Sequence, residues 1–500
     1  MGPGGLNLAS GAGVAFNNRL AALLITTNQH RAAAYPHRGM FMDMDTRAVL
    51  APLTKWNAVV NDARRLPELV RTAFREALSG RPGPVHLDIP QDVLTQAVTW
   101  RDDEFDLPPA GYRAVHGPRP AAEAVAAAAE VLRQARRPLL VAGGGVVQAG
   151  ADAAMRELAA RLNAPVVPTQ MALGVVASEH PSFIGHGGLI AGRVVLQAFE
   201  QADAIVAVGC RFSSWMWDEQ GPLARRHHAL VNINVDPSAL GSPALHSVAL
   251  QADARLAIDD LLSVLPAGNC AADPAWLPAL KAARQAYDAQ LAAMAQEVQA
   301  PMHPAALAQA VGQALPADAL AVFDGGHTSF WSNELTPVHA VRTRFHDPGM
   351  SQLGFGLPYA LALQALHPGR PVFNLTGDGS FGFTLQELDT ARRYGLPVVT
   401  VIHNNAAWGI IRAGQRAALD FEFGTGLEGT DYAAIARGFG CHGEVVHDAR
   451  ELPAALQRAI ASGLPAVVDA RTRFVPHPAG AGFGSMNRYG FEALTRTGMP

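Results

Sequence analysis

Cysteine is scarce in this chain: Cys210, Cys270 and Cys441 stand far apart. That excludes a disulfide framework and the paired spacing of a zinc site. Charge is also sparse, at 16% of residues with a formal net charge of −4. Without a basic excess there is no footprint for a polyanion, so nucleic acid is not an expected partner. Apolar runs are short, and none approaches the roughly 20 residues of a membrane-spanning helix. The opening "MGPGGLNLAS" lacks the basic and apolar regions of a signal peptide. No membrane partner is expected, and a cytoplasmic location is, which the scattered thiols fit. Short-period repeats and low-complexity tracts are missing too. What is abundant is ordinary buried material: 49% of the 500 residues are hydrophobic, too many for one core.

Short β-branched runs alternate with helical patterns, which predicts an α/β protein with mainly parallel sheets. "LAALLIT" (20–26) and "GPVHLDIP" (83–90) read as strands, with an amphipathic helix over 66–80 between them. A Pro- and charge-rich stretch at about 100–120 suits a linker. A second block carries strand patterns at 137–145, 163–169, 202–209 and 228–236. After an Ala-rich helical region, a third carries them at 319–326, 370–379, 396–405 and 464–472. The expectation is three Rossmann-like domains, at 1–105, 120–265 and 300–475, followed by an irregular Gly- and Pro-rich tail over 476–500.

The most informative stretch is "GDGSFGFTLQELDTARRYGLPVVTVIHNN" (377–405). "PVFNLT" reads as a strand, Gly377–Asp378–Gly379 as a tight turn, "FTLQELDTARRYG" as a helix and "LPVVTVIH" as the next parallel strand. In such a unit Asp378 and Asn405 both emerge at the carboxyl ends of strands, the ligand-binding edge of open α/β sheets. The glycines permit close backbone approach, and a helix N-terminus favours an anion. A carboxylate and an amide carbonyl are hard oxygen donors suited to Mg²⁺ or Ca²⁺. Together these describe a diphosphate site.

On these motifs the chain resembles the thiamin-diphosphate enzymes, in their acetolactate synthase-like branch of 2-oxo-acid decarboxylases and carboligases. "MGPGGLN" looks like that family's "SGPGxxN" turn, "PLTKW" (52–56) like its "PxTKW", and 79–94 like the end of its first domain. "QLGFGLPYALAL" (352–363) looks like the stretch before its GDG. The resemblance implies that Asp378 and Asn405 ligate Mg²⁺, with the main-chain oxygen of Ala407 as third protein ligand. It implies that Gly379, Ser380 and, in "FDGGHTSFW" (323–331), His327 and Thr328 contact the diphosphate of thiamin diphosphate. Ser351 joins the cofactor contacts, and Leu353 is placed as the apolar wedge that bends the cofactor. His327 reads equally well as a solvated loop histidine. A homodimer or homotetramer acting on a small 2-oxo acid is implied as well.

The chain also departs from the pattern. The family's mechanism uses a glutamate at the aminopyrimidine ring, some tens of residues before its GPG turn. Here GPG is at 2–4 and no glutamate matches that motif, so the catalytic glutamate is expected upstream of Met1. A truncated, impaired paralogue is the alternative. Met42, in "FMDMD" (41–45), stands where the family has a glutamine reaching the active site. Gly414 takes the place of a pocket tryptophan by ungapped match, while Trp408 lies nearer the metal motif and reads as a pocket or a packing residue. Met42 and Trp408 are therefore the substrate-pocket candidates. "RFSSWMW" (211–217) keeps only the beginning of the segment that accompanies FAD, which leaves FAD in doubt. "GGG" at 143–145 is weak ground for a nucleotide. A 2-hydroxyacyl-CoA or oxalyl-CoA lyase of the same cofactor family is the alternative activity.

Overall fold

The computed structural model describes residues 1–34, 37–104, 106–188, 191–213, 216, 228–241, 245–267, 271–297, 299–419 and 421–478. The chain divides into two compact units, one of Met1–Arg119 with Asp347–Gln352, the other of Pro120–His346 with the chain from Leu353 onward. No helix among the described residues is long and apolar enough to cross a membrane.

In the first unit, strands β1 (Ala22–Asn28), β2 (Trp56–Val59) and β3 (Pro84–Pro90) form a parallel sheet in the order β1-β3-β2. The helix Leu66–Leu78 has Pro67 in its first turn, where a missing N–H costs nothing. Its residues Leu69, Ala73 and Ala77, at i, i+4, i+8, pack on Val85, Leu87 and Ile89 of β3. The segment 347–352 is pinned by Asp347, whose carboxylate accepts from the amides of Gly349, Met350 and Gln352 and from Asn18 Nδ2 at 2.6 Å.

The second unit holds two larger sheets, both wholly parallel. The first comprises β4 (Pro138–Ala142), β5 (Val166–Pro168), β6 (Ala204–Val208), β7 (Ala229–Asn234) and β8 (Val248–Gln251), in the order β5-β4-β6-β7-β8. The second comprises β9 (Leu320–Phe323), β10 (Arg344–Phe345), β11 (Val372–Gly377), β12 (Val399–Asn404), β13 (His442–Val446) and β14 (Ala466–Arg471), in the order β10-β9-β11-β12-β14-β13. Both faces of each sheet are covered, so strand residues split alternately between two cores. Leu140 and Ala142 enter one while Leu139 and Val141 enter the other; Ala321 and Phe323 oppose Leu320 and Val322 in the same way.

The α/β architecture with mainly parallel sheets is as expected, and the differences are local. Residues 2–4 form no isolated turn: Gly2 (φ 48°) caps the helix Pro3–Asn17, with proline in its first turn. The segment after β11 is two helices, Asp378–Gly382 and Glu387–Tyr394. They are separated by a tight turn in which Thr384 Oγ1 donates to Gly354 O, and Gly395 (φ 61°) closes the second. Strands β2, β8, β10 and β13 escaped the sequence reading because they are short or only half-buried, with weak apolar alternation. Most of the tail over 476–500, together with Cys270 and Ser214, Trp215 and Trp217 of "RFSSWMW", lies outside the described residues.

Candidate active site

Strands β9, β11 and β12 are neighbours in their sheet, and the chain leaves β9 for β10 on one side before returning to β11 on the other. That reversal is a switch point, where loops at the carboxyl edge part and leave a crevice. The loops opening there are Asp324–Gly325 after β9, Asp378–Gly379 after β11 and Asn405–Trp408 after β12. Gly325 adopts φ 93°, a conformation that strains any residue with a Cβ. It turns the chain into the helix Gly326–Leu335, which presents His327 and Thr328.

Asp378 is 3% exposed. Its Oδ1 accepts from Gly379 N at 2.8 Å and its Oδ2 from Ala407 N at 3.3 Å. Burial nevertheless pushes its carboxyl up to about 6, against the pull of the amides of Gly379, Ala407, Ala406 and Asn405. Beside it, Asn405 Oδ1 is buried with no hydrogen-bond partner among the described residues. The loop is held in shape by Ala406 in the left-handed region (φ 51°) and by a strap, with Leu427 N donating to Ala406 O and Trp408 N to Thr425 O. A buried carboxylate whose ionisation burial disfavours, next to an orphaned amide oxygen, is a donor set that fits a hard divalent cation. It has one carboxylate only, and no group of three or more His, Cys, Asp or Glu side chains among the described residues is arranged to hold a metal ion.

The surrounding residues are close-packed. A Cβ on Gly379 would stand 2.5–2.8 Å from ring atoms of Trp408, so the Trp408 ring lies directly over the turn. Ser380 Oγ donates to Asp324 Oδ1 at 2.6 Å and accepts from Gly354 N at 2.9 Å. Its hydroxyl is thus engaged, and what Ser380 offers an anion is its main-chain N–H, near the start of a helix. Leu353 is half-buried immediately before Gly354 (φ 85°), which is fixed by Asp324 and Ser380. His327 is buried, with Nδ1 unpartnered among the described residues, between Phe330 and Phe474. Burial holds its pKa down to about 4, so the ring is neutral at pH 7; the solvated-loop reading of His327 does not hold.

The second unit thus brings together Asp378, Asn405, Ala407, Gly379, Ser380, His327, Thr328, Leu353 and Trp408. Met42 and Ser351 belong to the first unit, where both take positive φ (60° and 51°) and both are exposed. The glycines at 143–145 serve internal packing. A Cβ on Gly143 or Gly145 would run into the backbone of Gly209, and one on Gly144 would press on Met171.

Three residues that the sequence reading gave no role prove central. Asp324, 1% exposed, joins the Gly-Asp-Gly turn to the Leu353 loop through Ser380, Gly354 and Gly356. Asp469, fully buried, accepts from Asn404 Nδ2 at 2.9 Å and Tyr432 N at 3.1 Å, and Tyr432 in turn donates to Asp378 O at 3.0 Å. His403 touches Thr328. The signal available was a polar residue inside or just beyond an otherwise apolar strand: "VFDGG", "VIHNN" and "VVDAR".

Residues 324–470 match the thiamine pyrophosphate enzyme C-terminal TPP-binding domain, and residues 125–261 the central domain of the same enzymes. The chain is 31% identical over 480 residues to an acetolactate synthase large subunit of Parasynechococcus marenigrum, covering 94% of this chain and 76% of that protein. It is 33% identical over 459 residues to a probable 2-ketoarginine decarboxylase of Pseudomonas aeruginosa, covering 90% and 78%. Against acetolactate synthase isozyme 1 large subunit of Escherichia coli it is 30% identical over 485 residues, covering 94% and 81%. The chain belongs to the thiamin-diphosphate-dependent enzymes, in their acetolactate synthase-like branch.

Proposed function

We propose that this protein is a decarboxylase or carboligase of 2-oxo acids that works with thiamin diphosphate and Mg²⁺. The observation that carries the metal is the pairing of Asp378, whose burial is unfavourable without a counter-charge, with the orphaned Oδ1 of Asn405. Asp378, Asn405 and the Ala407 carbonyl would hold the ion, and the ion would neutralise the diphosphate. The main-chain N–H of Ser380, the Thr328 hydroxyl and neutral His327 would face the diphosphate. When bound, thiamin diphosphate supplies an electron sink for the pair released as CO₂ departs. This chain's residues anchor, orient and shield: Trp408 and Phe383, with ring centroids 5.9 Å apart, cover the turn that holds the metal ligand, and Leu353 sits on a loop locked to the same turn through Asp324. The 2-oxo-acid reading is supported by the acetolactate synthases and the 2-ketoarginine decarboxylase among the relatives.

The test is calorimetric titration of the full chain with thiamin diphosphate in the presence of Mg²⁺ and, separately, of EDTA. Binding is expected only with the metal. Asp378→Ala removes the charged ligand and is expected to weaken binding by at least tenfold. Equal affinity in the wild type and the variant, or undiminished binding in EDTA, would reject the assignment.

A further inference from the structure

Asp378 and Asn405 leave neighbouring strands, one just after β11 and the other just after β12. The hydrogen bonds around them close into a circuit. Asp469, fully buried within β14 on the far side of β12, accepts from Asn404 Nδ2 at 2.9 Å and from Tyr432 N at 3.1 Å. Tyr432 opens the helix Tyr432–Gly438, and its hydroxyl donates to Asp378 O at 3.0 Å. From Asp378 the path returns through Oδ2, which accepts from Ala407 N at 3.3 Å, and along Ala407, Ala406 and Asn405 to Asn404. Arg471 braces the base. Its Nη2 donates to Asp469 Oδ2 at 2.9 Å and to Thr430 O at 2.8 Å, so the buried carboxylate has its counter-charge.

The donors in this circuit are fixed by their chemistry. Asn404 presents its amide nitrogen to two oxygens, Asp469 Oδ1 and Thr430 O. Main-chain N–H groups only donate, and a carbonyl oxygen can only accept from the Tyr432 hydroxyl. One link matters most. The peptide between Asp378 and Gly379 is gripped at both ends: Tyr432 holds its oxygen, while its N–H donates to Asp378 Oδ1 at 2.8 Å. The peptide unit is planar, so fixing the oxygen fixes the direction of the N–H and with it the seat of the carboxylate. The Tyr432 ring is itself packed, 7% exposed and edge-to-face with Phe381 at a centroid separation of 5.5 Å.

We propose that Tyr432 is a positioning residue for the metal site: through Asp378 O, and backed by Asp469, it holds the Asp378 carboxylate in fixed relation to the Asn405 loop, and this rigidity favours Mg²⁺ over Ca²⁺. The inference rests on the metal reading above and adds to it a residue that ligates nothing. Mg²⁺ demands short, near-octahedral ligand distances, whereas Ca²⁺ accepts longer and more variable ones. A braced pair of ligands therefore discriminates between the two ions, and a loosened pair does so less.

The test measures the Kd of thiamin diphosphate on the full-length protein at saturating Mg²⁺ and, separately, at saturating Ca²⁺, beside the melting temperature of the cofactor-free protein. Tyr432→Phe removes the hydroxyl and keeps the ring. It is expected to raise the Mg²⁺-supported Kd roughly fivefold, about 1 kcal/mol, while the Ca²⁺-supported Kd stays within about twofold. The ratio of the two constants is the readout, since a merely structural role would weaken both alike. Leu363→Ala empties part of the core that Tyr432 shares without touching the circuit, and is expected to lower the melting temperature with the ratio unchanged. Asp469→Asn cuts the circuit at its base and should reproduce the loss of discrimination with a larger drop in melting temperature. Should it fail to fold, Tyr432→Phe decides alone. The inference is overturned if a folded circuit variant keeps the wild-type ratio, whether both affinities fall or neither does, or if Leu363→Ala shifts the ratio as far. Wild type that binds no cofactor with either ion overturns the metal reading and this inference together; an unchanged ratio in variants of a binding wild type overturns this one only.

Discussion

Asp324 is the residue whose replacement tests most directly how the site is built. Its Oδ1 accepts from Ser380 Oγ at 2.6 Å, and its Oδ2 from Gly354 N at 3.2 Å and Gly356 N at 3.0 Å. Burial pushes its carboxyl from an ordinary 3.8 to about 6 even so. A raised acid contributes stability that is fully present below about 3.8 and is lost as pH rises through about 6. At about 1.4 kcal/mol per pK unit, the ionised form carries a penalty of roughly 3 kcal/mol at pH 7. Asp324→Ala removes that penalty but leaves the Ser380 hydroxyl and Gly356 N–H unpaired at about 1–3 kcal/mol each, while Gly354 N keeps Ser380 Oγ. The net expectation is a loss of up to roughly 3 kcal/mol at pH 7, or at most about 4 °C in melting temperature for a unit of this size. Asp324→Asn keeps an acceptor for the two glycine amides, and Ser380 Oγ can reverse to accept from Nδ2, so its loss at pH 7 should be under about 1 kcal/mol. The distinguishing signature is in the pH dependence. Thermal unfolding of cofactor-free protein in EDTA, followed from about pH 4.5 to 7.5, should show Asp324→Asn gaining on wild type as pH rises through about 6. Parallel wild-type and Asn curves, or an Asn variant as damaged as the Ala variant, would refute the reasoning.

Two further outcomes follow from packing and charge. Gly379→Ala places a methyl 2.5–2.8 Å from the Trp408 ring, an overpacking expected to cost about 1–3 kcal/mol and to weaken cofactor binding, whereas Gly382→Ala meets nothing within 4 Å and should be silent. Indistinguishable melting and binding for the two variants would contradict the close approach of Trp408 to the turn. Arg284 Nη1 and Glu334 Oε1 form a buried ion pair at 3.0 Å, and Asp288 holds the other nitrogen at 2.8 Å. Burial raises the Glu334 carboxyl despite the guanidinium beside it. Arg284→Met should destabilise by roughly 3–5 kcal/mol and Glu334→Leu by about 3, since Asp288 still answers the arginine. The double variant should melt above the arginine single; if it melts lower, the pair is not a matched buried charge.

What the sequence made legible follows from how each feature is encoded. Strands buried on both faces are near-continuous apolar runs, so β4, β6, β11, β12 and β14 were readable within a few residues. β2 and β13 are half-buried and β10 is two residues long, and no periodicity marks such elements. The site was legible where a backbone requirement coincides with a ligand requirement. Gly379 must lack a Cβ because Trp408 lies on it, and Asp378 must be where the strand ends, so Gly-Asp-Gly is written in the chain as a contiguous word. The framework behind it is dispersed. Asp324, Ser380 and Gly354 meet across 56 and 26 residues of chain, and Asp469 reaches Asn404 across 65. Only the parallel order β9-β11-β12-β14 makes them neighbours. The same dispersal explains why the hydroxyl of Ser380 is committed to Asp324, which leaves its main-chain N–H as the group proposed to face the diphosphate. A short motif specifies which backbone groups face the ligand. Which side chains hold that backbone in place is decided by strand order: Asp324 acts from just beyond β9 on the turn after neighbouring β11, and Asp469 from within β14 on the end of neighbouring β12.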